Sequence, residues 1–318
     1  MSAARLHEKY EALIYACHAL APVRTAVAHP CDETSLRGAV EAAEAKIIKP
    51  ILVGPEARVR ALAASLNLDI SQFQLVEAPY SHASAAKAVE IVRNGEADAL
   101  MKGSLHTDEL MAEVVNKDTG IRTARRISHV FIMDVPTYPK PLFITDAAVN
   151  IYPTLEDKVD IVQNAIDLAQ ALLIQKPKVA ILSAVETVTS KIPSTIDAAA
   201  LCKMSDRGQI TGGILEGPLA LDNAISREAA TIKAINSPVA GDADILLVPD
   251  LEAGNMLAKE LSFLANADAA GIVLGARVPI ILTSRADNVR TRMASCAVAA
   301  LYAHARRIVA AGVGKLSA

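Results

Sequence analysis

A short apolar run, a polar turn and an amphipathic stretch follow one another along most of this chain, and that alternation limits what it can become. Residues 23–28, 48–53, 72–77 and 98–103 read as strands. Between them, residues 34–45, 57–66 and 84–93 have helical spacing, and residues 4–20 form a helix ahead of the first strand. Strands that alternate with helices across short links build a parallel sheet covered on both faces. The pattern continues with a helix from Ser104 to Val115, strands at 129–135 and 142–144, and a long helix at 155–175 capped by Thr154. Strands at 178–182, 209–215, 245–248, 270–274 and 278–282 follow, with helices at 193–203 and 251–264 and a closing helix at 288–310. Pro136, Pro139 and Pro141 punctuate the chain and mark a domain crossing there.

Composition narrows the function classes. Hydrophobic residues are 52% of the 318 and charged residues 21%, enough apolar surface for a well-buried core. A net charge of −3 gives no general field for nucleic acid, and 3% aromatic residues offer few stacking platforms. Any anion site must therefore be local. No apolar run reaches the ~18–20 residues of a membrane span, and the first residues lack a signal-peptide core, so the expected location is cytoplasmic. Cys17, Cys31, Cys202 and Cys296 are scattered without metal spacing and read as reduced core residues.

Six polar clusters each follow an apolar strand. They are Lys102-Gly103-Ser104, Thr145-Asp146, Glu186-Thr187, Glu216 to Asp222, Asp250 to Asn255, and Ser284-Arg285. In open α/β sheets ligands gather beyond the carboxyl ends of strands, and helix N-termini there hold anions. The strongest of the six is the last, where residues 278–282 empty into Thr283, Ser284, Arg285, Asp287 and Asn288 before a helix begins. The plain alternative at each place is an N-cap or a turn, and it is strongest for Asp250 and Thr154. Lys102 beside Gly103 supplies charge and room for amides to approach an anion. Arg122 and Arg285 are suited to grip a phosphate with two N–H groups, whereas a solvated loop accounts for most of the Arg122, Arg125 and Arg126 group. Glu252 and Asp222 are candidate bases or orienting groups, and His106 and His129 candidate acid–base groups, with His129 better read as a core histidine. No His or carboxylate cluster has metal spacing. No Walker, dinucleotide or nucleophile-elbow motif is present.

Residues 98–107 (DALMKGSLHT), 144–150 (ITDAAVN), 249–255 (PDLEAGN) and 282–287 (LTSRAD) resemble, in the same order, the phosphate acetyl/butyryltransferase family. Lys102-Gly103 and the Thr283–Asp287 run look closer to its butyryl branch. The resemblance implies a two-domain, three-layer α/β/α fold like that of isocitrate and isopropylmalate dehydrogenases, with the active site in the cleft. It places a discontinuous first domain at 1–140 plus 270–318 and a second, dimer-forming domain at 141–269, in a homodimer or higher homo-oligomer. The implied reaction is reversible transfer of a short acyl group between coenzyme A and inorganic phosphate, without a metal or bound cofactor. Acyl-CoA, phosphate and acyl phosphate are the implied partners, and neither nucleic acid nor membrane is. By motif position, Ser284, Arg285 and Asp287 would carry the chemistry. Lys102, Gly103, Ser104, His106, Thr107, Arg122, Asp146, Asp222, Glu252, Asn255 and Thr283 would line the substrates. The acetyl branch's proposed thiol base falls near Thr291, which cannot act as one, leaving Asp287 as the nearest carboxylate. The alternatives are a metal-dependent, NAD(P)-linked decarboxylating dehydrogenase of the same superfold and a non-catalytic acyl-CoA-binding protein.

Overall fold

The computed structural model describes residues 8–282, 288–310 and 312. The chain divides into two compact units. A terminal unit comprises Tyr10–Arg125 and Ala270–Ala318, and a central unit comprises Met1–Lys9 and Arg126–Ala269. The changeover at Arg125/Arg126 precedes the proline-punctuated stretch.

In chain order the first elements are α1 (Glu8–Cys17), β1 (Val23–Ala28), α2 (Glu33–Glu44), β2 (Ile48–Gly54), α3 (Glu56–Ser65), β3 (Gln74–Glu77), α4 (Ser81–Arg93), β4 (Ala99–Lys102) and α5 (Thr107–Val115). The central elements are β5 (Ser128–Asp134), β6 (Leu142–Thr145), α6 (Leu155–Ala171), β7 (Lys178–Leu182), α7 (Pro193–Asp206), β8 (Ile214–Leu219), α8 (Leu221–Ile225), α9 (Arg227–Ile232), β9 (Ile245–Leu247) and α10 (Leu251–Phe263). The chain returns through β10 (Asp268–Leu274), β11 (Ile280–Ile281) and α11 (Val289–Ala310).

Strands of the terminal unit run in the order β3-β2-β1-β4-β11-β10, parallel except for β10 against β11. Those of the central unit run β5-β6-β9-β7-β8, parallel except for β5 against β6. This is a mixed α/β fold, as the alternation of strand and helix requires. The parallel strands are near-continuous apolar runs because both faces are covered. Leu52, Leu100 and Met101 are fully buried in one unit, and Phe143, Ile144 and Leu246 in the other. Each such side chain contributes roughly 1.5–3 kcal/mol on leaving water.

Helix starts follow local chemistry. The Asp32 carboxylate accepts the Ser35 amide at 2.8 Å to open α2. Thr154 and Asp157 exchange side-chain-to-backbone bonds as a capping box on α6. Asp250 accepts the Ala253 amide at 2.9 Å on α10, so the N-cap reading of Thr154 and Asp250 holds. None of the described helices is long and apolar enough to cross a membrane.

Three segments differ from expectation. The strand expected at 209–215 lies later, at Ile214–Leu219, and carries Gly217-Pro218 inside it. Because β8 pairs only with β7 at the end of its row, a proline without an N–H is tolerated there. The strand expected at 278–282 shrinks to Ile280–Ile281; Pro279 has no amide and serves only through its carbonyl, which accepts the Leu100 N–H. Two short helices, α8 and α9, occupy a stretch with no expected element.

Candidate active site

The terminal unit brings several motif residues to one strand edge. Ala28 at the end of β1 pairs in register with Lys102 at the end of β4. Ile281 of β11 lies opposite Met101, one residue before Lys102. The chain therefore leaves β11 toward Thr283, Ser284, Arg285 and Asp287 from the edge that carries Lys102. Those four residues lie outside the described ones.

Lys102 is only 7% exposed, an uncommon place for an ammonium, since a buried charge is costly unless it is paired. Its Nζ lies 3.5 Å from the Gly103 carbonyl. The next two amides are committed to the neighbouring strand end: Gly103 N–H donates to the Ala28 carbonyl at 2.9 Å and Ser104 N–H to the His29 carbonyl at 2.8 Å. Room for an anion to reach these amides was the expected reason for Gly103; the structure supplies a different one. A Cβ there would drive into the Ala28 carbonyl and stand 2.6 Å from the His29 oxygen. The glycine lets two strand ends close on each other.

Beyond the turn, His106 and Thr107 open α5 and are exposed. The His106 side chain makes no capping bond, so its ring is not consumed by the helix start. Glu109 in the first turn has a buried Oε2 without a hydrogen-bond partner, 3.7 Å from His82 Nδ1. Arg122 is exposed, and its backbone bridges Ala276. The Arg277 N–H to the Ile121 carbonyl at 2.9 Å and the Thr123 hydroxyl to the Gly275 carbonyl at 2.6 Å reinforce that bridge. The arginine loop is thus tied to the segment leading into β11.

The central unit gathers its own set at the carboxyl edge of β6, β7, β8 and β9. Asp146, 3% exposed, follows β6. Its Oδ1 accepts the amides of Ala148 and Val149 at 2.9 and 3.0 Å. Its Oδ2 accepts the amide and the Nδ2 of Asn150 at 3.2 and 2.5 Å. The carboxylate is spent on framing its own loop. Asn150 Nδ2 also donates to the Ile127 carbonyl, and its Oδ1 accepts Arg126 Nε at 2.8 Å. Arg126 is further paired with Asp157 at 3.2 Å, so this member of the arginine group is a structural one.

His129 stands at the start of β5 beside Asp146, fully buried, with its ring 4.3 Å from that of Phe131. Burial pulls its pKa down to about 4, against the opposing charge of Asp146. It is a neutral core histidine, as its apolar strand suggested, with an Nδ1 that has no hydrogen-bond partner.

Asn255 donates from Nδ2 to the Ala147 carbonyl at 3.1 Å, joining the first turn of α10 to the Asp146 loop. Gly254 makes that approach possible, because a Cβ would stand 2.9 Å from the Asp146 carbonyl oxygen. Glu252 and Asp222 lie in the first turns of α10 and α8 and are exposed. Glu186 pairs with Lys233 at 2.9 Å, which lowers its pKa.

Several buried polar residues carry no mark in the sequence, Asn223 and His29 among them. Asn223 is fully buried, with Oδ1 unpartnered; its neighbour Asp222 drew attention, yet nothing in the sequence marked the amide as interior. His29 is 6% exposed with a backbone φ of 56°. In the sequence His29-Pro30 reads only as a strand terminator. Among the described residues no group of three or more His, Cys, Asp or Glu side chains is arranged to hold a metal ion.

The family described as phosphate acetyl/butaryl transferase matches residues 81–300. A protein of Rhizobium meliloti named phosphate acetyltransferase is 70% identical over 299 residues, covering 94% of this chain and 95% of that one. A phosphate butyryltransferase of Clostridium acetobutylicum is 44% identical over 280 residues, covering 88% of this chain and 93% of that one. The solved structure of a branched-chain phosphotransacylase from Enterococcus faecalis V583 is 31% identical, with a TM-score of 0.78 over 89% of this chain and 99% of that one. Motifs that look closer to the butyryl branch thus accompany high overall identity to a protein that bears the acetyl name.

Proposed function

The chain belongs to the phosphate acetyl/butyryltransferase family and is a phosphate acyltransferase, and from that premise we propose how its own residues carry the reaction. A short acyl group, acetyl to butyryl, moves reversibly between coenzyme A and inorganic phosphate. The two units act as the two domains of a dehydrogenase-like fold, and the central unit forms a homodimer.

Arg285 holds the phosphate and neutralises it as it departs, with Lys102 and Arg122 adding positive charge around the same anion. The thiol of coenzyme A, with a reference pKa of ~8.5, gives its proton to Asp287. The thiolate then attacks the acyl carbonyl. Ser284 and nearby N–H groups stabilise the oxyanion, each well-placed donor contributing about 3–4 kcal/mol. When the tetrahedral intermediate collapses, the C–O bond to phosphate breaks and the thioester remains. Thr283, Gly103, Ser104, His106 and Thr107 line the phosphate side. Asp222, Glu252 and Asn255 line the coenzyme A side, with Asn255 tied to the loop that Asp146 frames. Holding both substrates together supplies much of the remaining acceleration.

The observation that carries this reading is the edge at β4 and β11. A nearly buried ammonium ends one strand, and the neighbouring strand leads from the same edge into Thr-Ser-Arg-Ala-Asp. The test is phosphate-dependent thiol release from acetyl-, propionyl- and butyryl-CoA by the intact chain and by Arg285→Ala. The variant is expected to lose roughly a hundredfold or more in kcat/KM. Near-normal turnover by the variant would remove Arg285 from the site.

A further inference from the structure

His29 pays a conformational cost that its neighbours explain only in part. It directly follows β1 and adopts the left-handed region with φ 56°, where a side chain with a Cβ is uncommon and strained. A glycine or an asparagine would sit there more cheaply. The ring is also buried, 6% exposed, so its nitrogens need partners from the protein. Nδ1 lies 3.0 Å from the Ser84 hydroxyl oxygen. Ser84, fully buried in the first turns of α4, donates its own proton to the Tyr80 carbonyl at 2.9 Å. The ring proton therefore rests on Nδ1 and is donated to Ser84. Burial, with help from the Arg58 charge, lowers the pKa of the ring and keeps it neutral, despite Glu109 and Asp32 pulling the other way.

The backbone of the same residue performs a second task. The left-handed turn places the His29 carbonyl where two amides reach it, Cys31 at 2.8 Å and Ser104 at 2.8 Å, while its own N–H donates to Val53 at 2.7 Å. One residue earlier, the Ala28 carbonyl takes the Gly103 amide. The strained residue thus links the first turns of α4, through its ring, to the Lys102–Ser104 turn, through its carbonyl. Strain of this kind persists where the surroundings over-determine it, and it concentrates at functional sites.

We propose that His29, tethered by Ser84, is a positioning residue that fixes the Lys102-Gly103-Ser104 turn, and with it the Lys102 ammonium, for the phosphate group of the substrate. The inference rests on the reading of that turn as part of the phosphate site. A group held through one hydrogen-bonded tether affects substrate affinity by about the worth of that bond, close to tenfold.

The experiment measures KM for phosphate and kcat in acetyl-CoA thiol release for five variants of the full chain, each with its melting temperature. His29→Gly keeps the left-handed backbone and loses the ring. His29→Asn keeps both the backbone preference and a donor for Ser84. Ser84→Ala removes the tether from the other side. The fourth is the double variant His29→Gly/Ser84→Ala, and the fifth is Lys102→Ala. The expected result is a phosphate KM raised about tenfold in His29→Gly and in Ser84→Ala, with kcat within about threefold of the parent. His29→Asn is expected to recover most of the loss, and the double variant to be no worse than either single one, because both break one tether. Unchanged phosphate KM in folded Ser84→Ala would overturn the proposal, as would additive losses in the double variant. If His29→Gly does not fold, Ser84→Ala and His29→Asn decide alone. Lys102→Ala separates the two layers: if its phosphate KM is unchanged, the phosphate-site reading of the turn falls. If it rises while the His29 and Ser84 variants stay normal, only the tether falls.

Discussion

The turn after β4 and the loop after β6 look alike in the sequence and are built in opposite ways. Each follows a fully buried strand, and each sets a charged residue next to small or polar ones. At Lys102-Gly103-Ser104 the backbone amides are satisfied by the adjacent strand end, so the lysine side chain is not needed to hold the turn's amides. At Asp146–Asn150 the side chain itself satisfies the backbone: one carboxylate collects three loop amides and the Asn150 amide group. A charge at a strand end can therefore be either architecture or chemistry, and the partner of the backbone N–H groups tells which. Where another strand takes the amides, the turn does not rest on the charge. Where the charge takes them, the loop depends on it.

The most direct way to break that contrast is Asp146→Ala. It would leave four donors on the buried side of the loop without their acceptor, each costing about 1–3 kcal/mol when unmet. With water reaching some of them, a net loss on the order of 4 kcal/mol is expected in denaturant unfolding. A variant that melts with the parent would show that the loop does not rely on its carboxylate, and the distinction would fail.

The second test uses His129, the neutral ring beside the same carboxylate. Its pKa is about 4 in the fold against ~6.5 in an unfolded chain. The folded form therefore binds this proton less readily than the unfolded one. The stability tied to the neutral ring is present in full above pH 6.5 and is lost as pH falls from there toward 4. On the order of 3 kcal/mol is involved over that window. His129→Phe is expected to flatten this part of the stability–pH profile, measured by denaturant unfolding at stepped pH. Because Asp146 works against the shift, a profile that steepened with Asp146 intact would mean that the pair is wrongly described.

Much of the frame was legible because apolar runs and their spacing are local signals. Strands β1, β2, β4, β6, β7 and β9 and the caps at Thr154 and Asp250 fall where residue pattern places them. What escaped depends on neighbours distant in sequence. Pro218 argues against a strand until β8 is known to be an edge, and α8 and α9, at five and six residues, are too short to show a period. Lys102 and Asp146 were both readable as site candidates, but not which of them held its own backbone together. That depends on the β1 end lying beside Gly103. His29 was invisible for the same reason, since its left-handed backbone matters only once Ser104 and Ser84 are known to converge on it.

The smallest expected effect is the sharpest for the comparison, because it asks for function without architecture. Lys102→Met keeps an unbranched stem of similar length at the same buried position and removes the ammonium. Long side chains stabilise partly through such stems, and volume-conserving replacements in packed surroundings usually cost under about 1.5 kcal/mol. The melting temperature is therefore expected to move much less than in Asp146→Ala. The phosphate KM should rise about thirtyfold, equivalent to roughly 2 kcal/mol of lost charge-assisted bonding, while the affinity for desulfo-coenzyme A, read by competition, stays within a few-fold. If instead Lys102→Met unfolds as readily as Asp146→Ala and its surviving activity shows a normal phosphate KM, the ammonium is architecture too. The two strand-end turns would then be one device with opposite signs of charge, and the amides' partners would no longer distinguish a binding group from a framing one.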